Sequence, residues 1–193
     1  LLPLLDADVD AHAVHPCQAR SQQHPAREPE HAPAQVAARG APREQALELV
    51  PETRRLAARS ANDPAAQATL AEAEYDAGND KEAITAADAA LAIDPKEQDA
   101  YIQKGYALFR QAAEGDDRAA AFKKARAPFI ALNRLENDHP IPLIYFYQSF
   151  VQQGARPSPN AVEGLKRAVE GAPFDLGLHM MLATQYLRDG KPA

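Results

Sequence analysis

The chain has 193 residues and a formal net charge of −6, and acidic residues outnumber basic ones both before and after residue 40. Because nucleic acids are bound by clustered lysine and arginine side chains, this balance argues against a nucleic-acid partner. Apolar runs are far shorter than the roughly 18 residues of a membrane span, and the single cysteine, Cys17, excludes an internal disulfide bond.

Residues 1–42 differ from the rest of the chain, since they are rich in Ala, Pro, His and Arg and show no apolar periodicity. Such a segment buries too little apolar surface to offset its ordering entropy, so we predict a disordered tail or linker. The alternative is a misread frame from GC-rich DNA. The first residue is Leu1 rather than Met, which indicates a fragment, a processed product or an incomplete sequence.

The tail contains the pattern His12-x-x-His15-x-Cys17, whose imidazole and thiolate groups suit zinc. Pro16 disfavours the helical conformation that would align His15 with His12, and no second closely spaced pair of ligands follows. We therefore interpret these residues as part of a solvated tail rather than as a metal site.

Residues 43–60 are predicted to be helical. We expect Pro51 to divide this stretch into two pieces, because proline removes a helical hydrogen bond. The apolar positions are Leu47, Val50, Leu56 and Ala57.

Residues 64–97 predict two helices joined by a tight turn. Leu70 and Tyr75 share one face of the first helix. Gly78 ends that helix, because glycine tolerates the left-handed backbone conformation. The second helix ends at Pro95, since proline cannot continue a helix.

This 34-residue helix–turn–helix unit resembles a tetratricopeptide (TPR) repeat. Suitable residues stand at the motif's small, turn and closing positions: Ala71, Ala83, Ala90, Gly78 and Pro95. The motif's first aromatic position and its tyrosine position are occupied instead by Gln67 and Glu74. The resemblance also makes the end of residues 43–60 the B helix of a degenerate preceding unit, which caps the array.

A second unit follows at about residues 98–139, with Tyr101 and Gly105 at the motif's aromatic and glycine positions. This unit is longer than the 34-residue period by roughly eight to ten residues. Pro128 lies inside its second helix, so we expect a kink or a break near Arg126.

The third unit covers about residues 140–175, and Asn160 is the predicted N-cap of its B helix. Its predicted core positions are Leu143, Phe146, Tyr147, Phe150, Ala161, Leu165 and Ala168.

Residues 176–193 form a partial unit with one predicted A helix. Its predicted core positions are His179, Leu182, Ala183 and Tyr186. No matching B helix follows in this sequence, so either the sequence is truncated or something else covers the apolar surface of this helix. Self-association through this incomplete C-terminal repeat is one way to cover it.

No catalytic motif of the nucleophile-elbow, P-loop or zinc-protease type is present. We therefore predict no enzyme activity, no catalytic or metal site and no cofactor. Four acidic residues stand close together in the first unit, and we interpret them as a solvated helix face rather than a cation site: Glu72, Glu74, Asp76 and Asp80.

The TPR resemblance implies that the A helices line a concave groove. The residues that it places in the groove, and that we predict to contact a partner, are Tyr75, Ile102, Tyr106, Phe109, Arg110, Ile144, Gln148 and Met180. The Lys/Asn clamp of chaperone-binding TPR domains is missing, and the centre of the groove is aromatic. This composition favours an apolar or aromatic peptide as the partner. The alternative is that a later segment of the protein itself fills the groove.

A second, narrower resemblance covers residues 64–192, which look like the C-terminal TPR region of bacterial peptidase-MA-like proteins. It implies an accessory domain that docks on an upstream metallopeptidase-like module, whose HExxH motif this chain lacks. Together, these observations predict an all-α, TPR-like, right-handed superhelical array of about seven antiparallel helices. The array serves as a non-catalytic interaction scaffold, and the sequence identifies neither the partner nor the compartment.

Overall fold

The computed structural model describes residues 43–190, so the predicted tail and its His12, His15 and Cys17 lie outside the described residues. The described part contains eight helices, one more than predicted, and no strand. They are α1 (Arg43–Arg59), α2 (Pro64–Ala77), α3 (Asp80–Ile93), α4 (Gln98–Glu114), α5 (Arg118–Leu135), α6 (Pro140–Gln152), α7 (Pro159–Gly171) and α8 (Leu176–Arg188). None of these helices is long and apolar enough to cross a membrane.

Short polar caps and glycines set the helix boundaries. The Asp63 side chain accepts a hydrogen bond from the Ala65 backbone N–H at 3.0 Å, and Pro64 takes the first helical position of α2. Gly78 ends α2 in the left-handed conformation with φ 88°, as predicted. The predicted cap Asn160 is wrong, because Ser158 Oγ accepts from the Ala161 N–H at 3.1 Å and caps α7.

Two prolines lie inside helices without ending them. The predicted division at Pro51 is wrong, since α1 is continuous, and α5 likewise runs through Pro128 without a break. Proline has no N–H to donate to the carbonyl oxygen four residues earlier, which here belongs to Leu47 in α1 and to Lys124 in α5. Both residues are exposed, so water can bond these carbonyls, and Pro128 itself gains burial.

Each helix packs against the next, and α2 also contacts α4, as α4 contacts α6. We call α2, α4, α6 and α8 the A helices and α1, α3, α5 and α7 the B helices. A hydrogen bond between Tyr147 and Gln185 joins α6 to α8, so the A helices are side by side along one face, which we name the A-helix face.

Small residues allow the close approach of paired helices, as predicted. Ala71, Ala83 and Ala90 have no exposed surface between α2 and α3. In the second unit, a Cβ atom added to Gly105 would lie only 2.4 Å from Cζ of Phe129. The Phe129 ring thus occupies the space that a side chain at residue 105 would need.

The predicted core of the third unit is confirmed. Its seven residues are all buried between α6, α7 and α8. They are Leu143, Phe146, Tyr147, Phe150, Ala161, Leu165 and Ala168.

The predicted core face of α8 needs correction. His179 and Ala183 are exposed, and Leu182 and Tyr186 are only partly buried. The buried residues are Leu178 and Gln185, and Gln185 Oε1 accepts a hydrogen bond from the Tyr147 hydroxyl at 3.0 Å. The predicted residues lie on the side of an A helix that faces the B helix of the same unit. Within residues 43–190 no helix follows α8, so these residues have no B helix to pack against.

An ion pair between exposed Arg54 and buried Glu74 joins α1 to α2. Arg54 donates two hydrogen bonds to the Glu74 carboxylate, at 2.5 and 3.0 Å, and Asn79 donates a third at 2.8 Å. Glu74 is only 2% exposed. The carboxylate that replaces the motif's tyrosine is therefore a fixed contact between helices.

Candidate partner-binding site

Aromatic rings from four helices, α2, α4, α5 and α6, meet at the A-helix face. The Tyr106 ring of α4 lies 5.6 Å from Tyr75 of α2 and 4.8 Å from Tyr145 of α6, measured between ring centroids. Phe109 meets Tyr145 edge-on at 5.0 Å, and Phe129 of α5 stacks on Tyr145 at 4.9 Å. We call Tyr75, Tyr106 and Tyr145 the tyrosine row.

The tyrosine row is partly exposed, while the rings beneath it are not. All three tyrosines keep some accessible surface, whereas Phe129 is fully buried. Burial raises the pKa of Tyr106 to about 12 and raises the pKa of Tyr75 and of Tyr145. The three phenols are therefore neutral throughout the physiological range, and each offers an apolar ring with a polar hydroxyl.

Arg110 fixes one end of the row. Its guanidinium carbon lies 4.0 Å from the centre of the Tyr75 ring, and it donates to the Tyr75 carbonyl oxygen at 2.7 Å. It also forms an ion pair with Asp80 at the start of α3. These contacts tie α4 to the turn between α2 and α3, so the Tyr75 ring is held in place.

Acidic side chains border the row on the α2 side. Burial raises the pKa of Glu72, and the neighbouring charges of Asp76 and Asp99 raise it further. Burial also raises the pKa of Asp76. Asp76 already lies near the opposing charge of Arg110, whereas Glu72 is exposed and lies near two like charges, so a further cation would be stabilised beside Glu72.

The prediction of a solvated helix face is wrong for two of the four acids of the first unit, because arginines hold their carboxylates. Glu74 is held by Arg54, and Asp80 is held by Arg110. Across residues 43–190, no three His, Cys, Asp or Glu side chains are placed so that they could hold a metal ion.

The eight predicted partner-contacting residues fall into three groups. Tyr75, Tyr106, Arg110 and Gln148 are partly exposed on the A-helix face. Ile102, Phe109 and Ile144 are only 7%, 9% and 6% exposed, so they support this face from within. Met180 is 70% exposed on α8, where Gln148 contacts the neighbouring Met181.

Sequence reasoning missed Tyr145. It lies in the run Ile144-Tyr145-Phe146-Tyr147, in which every residue is large and apolar or aromatic. Helical spacing alone does not separate the ring that joins the row from the two rings that are buried.

The sequence comparison identifies the unit that carries the start of the row. Residues 64–107 match the family model of the tetratricopeptide repeat. This stretch is therefore similar to a TPR repeat. The match includes α2, α3 and the part of α4 that holds Tyr106, and TPR repeats act as protein-interaction modules.

The TPR-like arrangement extends over the described chain. The MamA RS-1 ArsTM double mutant matches with a TM-score of 0.62 at 18% identity, covering 76% of this chain and 77% of that chain. A thermophilic TPR protein of Thermus thermophilus matches with a TM-score of 0.60 at 18% identity, covering 78% of this chain and 82% of that chain. At this identity the likeness concerns the fold, and it confirms the predicted all-α, TPR-like array.

No curated protein is significantly similar to this chain. The resemblance to the C-terminal region of peptidase-MA-like proteins finds no support in these comparisons. A docking role on a metallopeptidase-like module therefore stays a prediction without a supporting observation.

Proposed function

We propose that this TPR array is a non-catalytic scaffold that binds an apolar or aromatic peptide segment along the A-helix face. The observation that supports the proposal is the tyrosine row, in which Tyr75, Tyr106 and Tyr145 combine partial exposure with fixed ring positions. Rigid aromatic side chains provide large contact areas with little loss of conformational entropy on binding.

The hydroxyl groups of the row add polar contacts. Within residues 43–190 the hydroxyls of Tyr75, Tyr106 and Tyr145 have no hydrogen-bond partner, although their rings are packed. A peptide lying across the rings would bury apolar side chains and offer its backbone N–H and C=O groups to these hydroxyls.

The acidic border favours a basic residue beside the apolar anchor. A lysine or arginine near Glu72 would offset the repulsion that the charges of Asp76 and Asp99 exert on its carboxylate. We therefore expect ligands that pair an aromatic or aliphatic residue with a cationic one.

Selection from a random peptide library tests this proposal on the full chain. Enriched peptides should carry an apolar anchor next to Lys or Arg, and Tyr106→Ala should weaken their binding about tenfold or more, as expected for an aromatic anchor. Phe109 is unsuitable for this purpose, because it is buried and its removal would disturb the fold.

Tyr101→Ala is the matched control. Tyr101 is a partly exposed tyrosine on the same helix, but its hydroxyl donates to the Pro95 carbonyl and it lies outside the row. Far-ultraviolet circular dichroism verifies that both variants keep their helical content. Peptides that bind Tyr106→Ala as tightly as the unmodified chain would contradict the proposal.

A further inference from the structure

Helix α8 exposes a continuous apolar stripe. Leu176, Met180, Ala183 and Leu187 follow the i, i+4, i+7, i+11 spacing that places side chains on one side of a helix. Leu176 and Leu187 are each 76% exposed, and Met180 is 70% exposed. No residue between 43 and 190 covers this stripe.

One residue of the stripe, Ala183, stands at the position with which an A helix receives its B helix. Ala183 is the eighth residue of α8, as Ala71 is the eighth residue of α2. Ala71 is completely buried beneath α3, whereas Ala183 is exposed. Helix α8 is thus an A helix whose B-helix position is vacant within the described residues.

Helix α1 at the opposite end has the complementary property. Leu49 lies 34 residues, one repeat period, before Ala83, and Leu56 lies 34 residues before Ala90. Both alanines belong to α3 and are buried against α2, the A helix of the same unit. Leu49 is 54% exposed and Leu56 is 50% exposed. Helix α1 therefore presents the face with which a B helix packs on an A helix, and none of the described A helices lies there.

We infer that a second copy of this chain occupies both faces, with α8 of one copy packed against α1 of the next. The pair would repeat the antiparallel α2–α3 packing and would continue the array across the junction. The charges agree with this direction. Arg188 in the last turn of α8 would lie towards Glu44 and Glu48 of α1, while Asp175 before α8 would lie towards Arg59.

This interface joins two different surfaces, so each copy keeps one free end. Such head-to-tail contacts propagate into open chains or close into rings, unlike a symmetric dimer. The N-terminal 42 residues are the other candidate to cover the α1 face, and a monomeric chain is the result expected in that case.

Sedimentation velocity of the full chain tests the inference through two complementary variants. Leu49→Glu with Leu56→Glu places charges on the α1 face, and Ala183→Glu places one on the α8 stripe. The unmodified chain should show an average mass that rises with concentration above the 20.9 kDa of one copy. Each variant alone should associate at least about tenfold more weakly, because the junction would bury an unpaired charge.

Mixing the two variants distinguishes this interface from every symmetric one. One variant retains a working α8 stripe and the other a working α1 face, so the mixture should form a dimer that does not grow further. Leu47→Glu is the control on α1, since Leu47 is 50% exposed on the opposite flank, and Thr184→Glu is the control on α8. Both controls should associate like the unmodified chain.

Three results would overturn the inference. A chain that stays monomeric at every concentration would indicate that its own residues cover these faces. Association that is lost in Ala183→Glu but kept in the α1 variant would indicate a symmetric contact between α8 helices. Variants that associate alone, or whose mixture forms no dimer, would exclude the α1–α8 junction.

Discussion

Replacing Gly105 by alanine tests how closely α4 and α5 must approach each other to support the tyrosine row. The added Cβ would lie 2.4, 2.6 and 2.8 Å from three ring carbons of Phe129. Ordinary carbon contacts are about 3.5–4.0 Å, so the ring would have to move by roughly 1 Å. Phe129 is fully buried and stacks on Tyr145, which leaves it no free space.

The expected cost follows from two opposing terms. Overpacking of a rigid core costs about 1–3 kcal/mol, and contact with three ring atoms places Gly105→Ala at the upper end. Alanine recovers about 1 kcal/mol over glycine in a helix interior. We therefore expect a net loss of about 2 kcal/mol in unfolding free energy, which corresponds to roughly 4–8 °C in melting temperature for a domain of this size.

Thermal and urea unfolding followed by circular dichroism measure this difference, and Gly164→Ala is the matched control. Gly164 lies inside α7, and its added Cβ would meet only Leu143, at an ordinary distance of 3.5 Å. That substitution should stabilise the chain by up to about 1 kcal/mol. Phe129→Leu should reduce the cost of Gly105→Ala in the double variant. If Gly105→Ala is as stable as Gly164→Ala, the close packing of α4 on α5 is refuted.

Two further predictions concern the acidic residues of α2. Glu74→Gln should lower the unfolding free energy by about 1–3 kcal/mol in urea titrations, because the buried carboxylate loses its charge-assisted bonds to Arg54. The same change at exposed Glu52, which pairs with Arg55, should cost at most about 0.5 kcal/mol. Equal costs would contradict the role given to the Arg54–Glu74 pair. Glu72 has a raised pKa in the folded state, so its ionisation opposes folding above that pKa. Glu72→Gln should therefore stabilise the chain at pH 7, with a gain that disappears as the pH falls below about 4, near the pKa of the unfolded chain; a gain that grows on acidification would show the opposite sign.

Local sequence rules were sufficient for most helix ends and for the close contacts of the first unit. Gly78 ends α2, and Ala71 and Ala90 are buried where the two helices cross. These properties depend on the backbone freedom of one residue or on its small volume, which the residue carries with it. The same rules failed at Pro51, where α1 continues and the carbonyl of exposed Leu47 can be hydrogen-bonded by water instead.

The sequence by itself determined the repeat, the alternation of A and B helices and the lack of any catalytic motif, because periodicity and turn residues are local properties. Only the tertiary structure decided which aromatic residues form a surface. Phe109 is buried through contacts with Phe122 and Tyr145, while Tyr106 stays partly exposed one helical turn away. Exposure depends on neighbours that come from other helices, and the spacing of residues within a single helix does not contain that information.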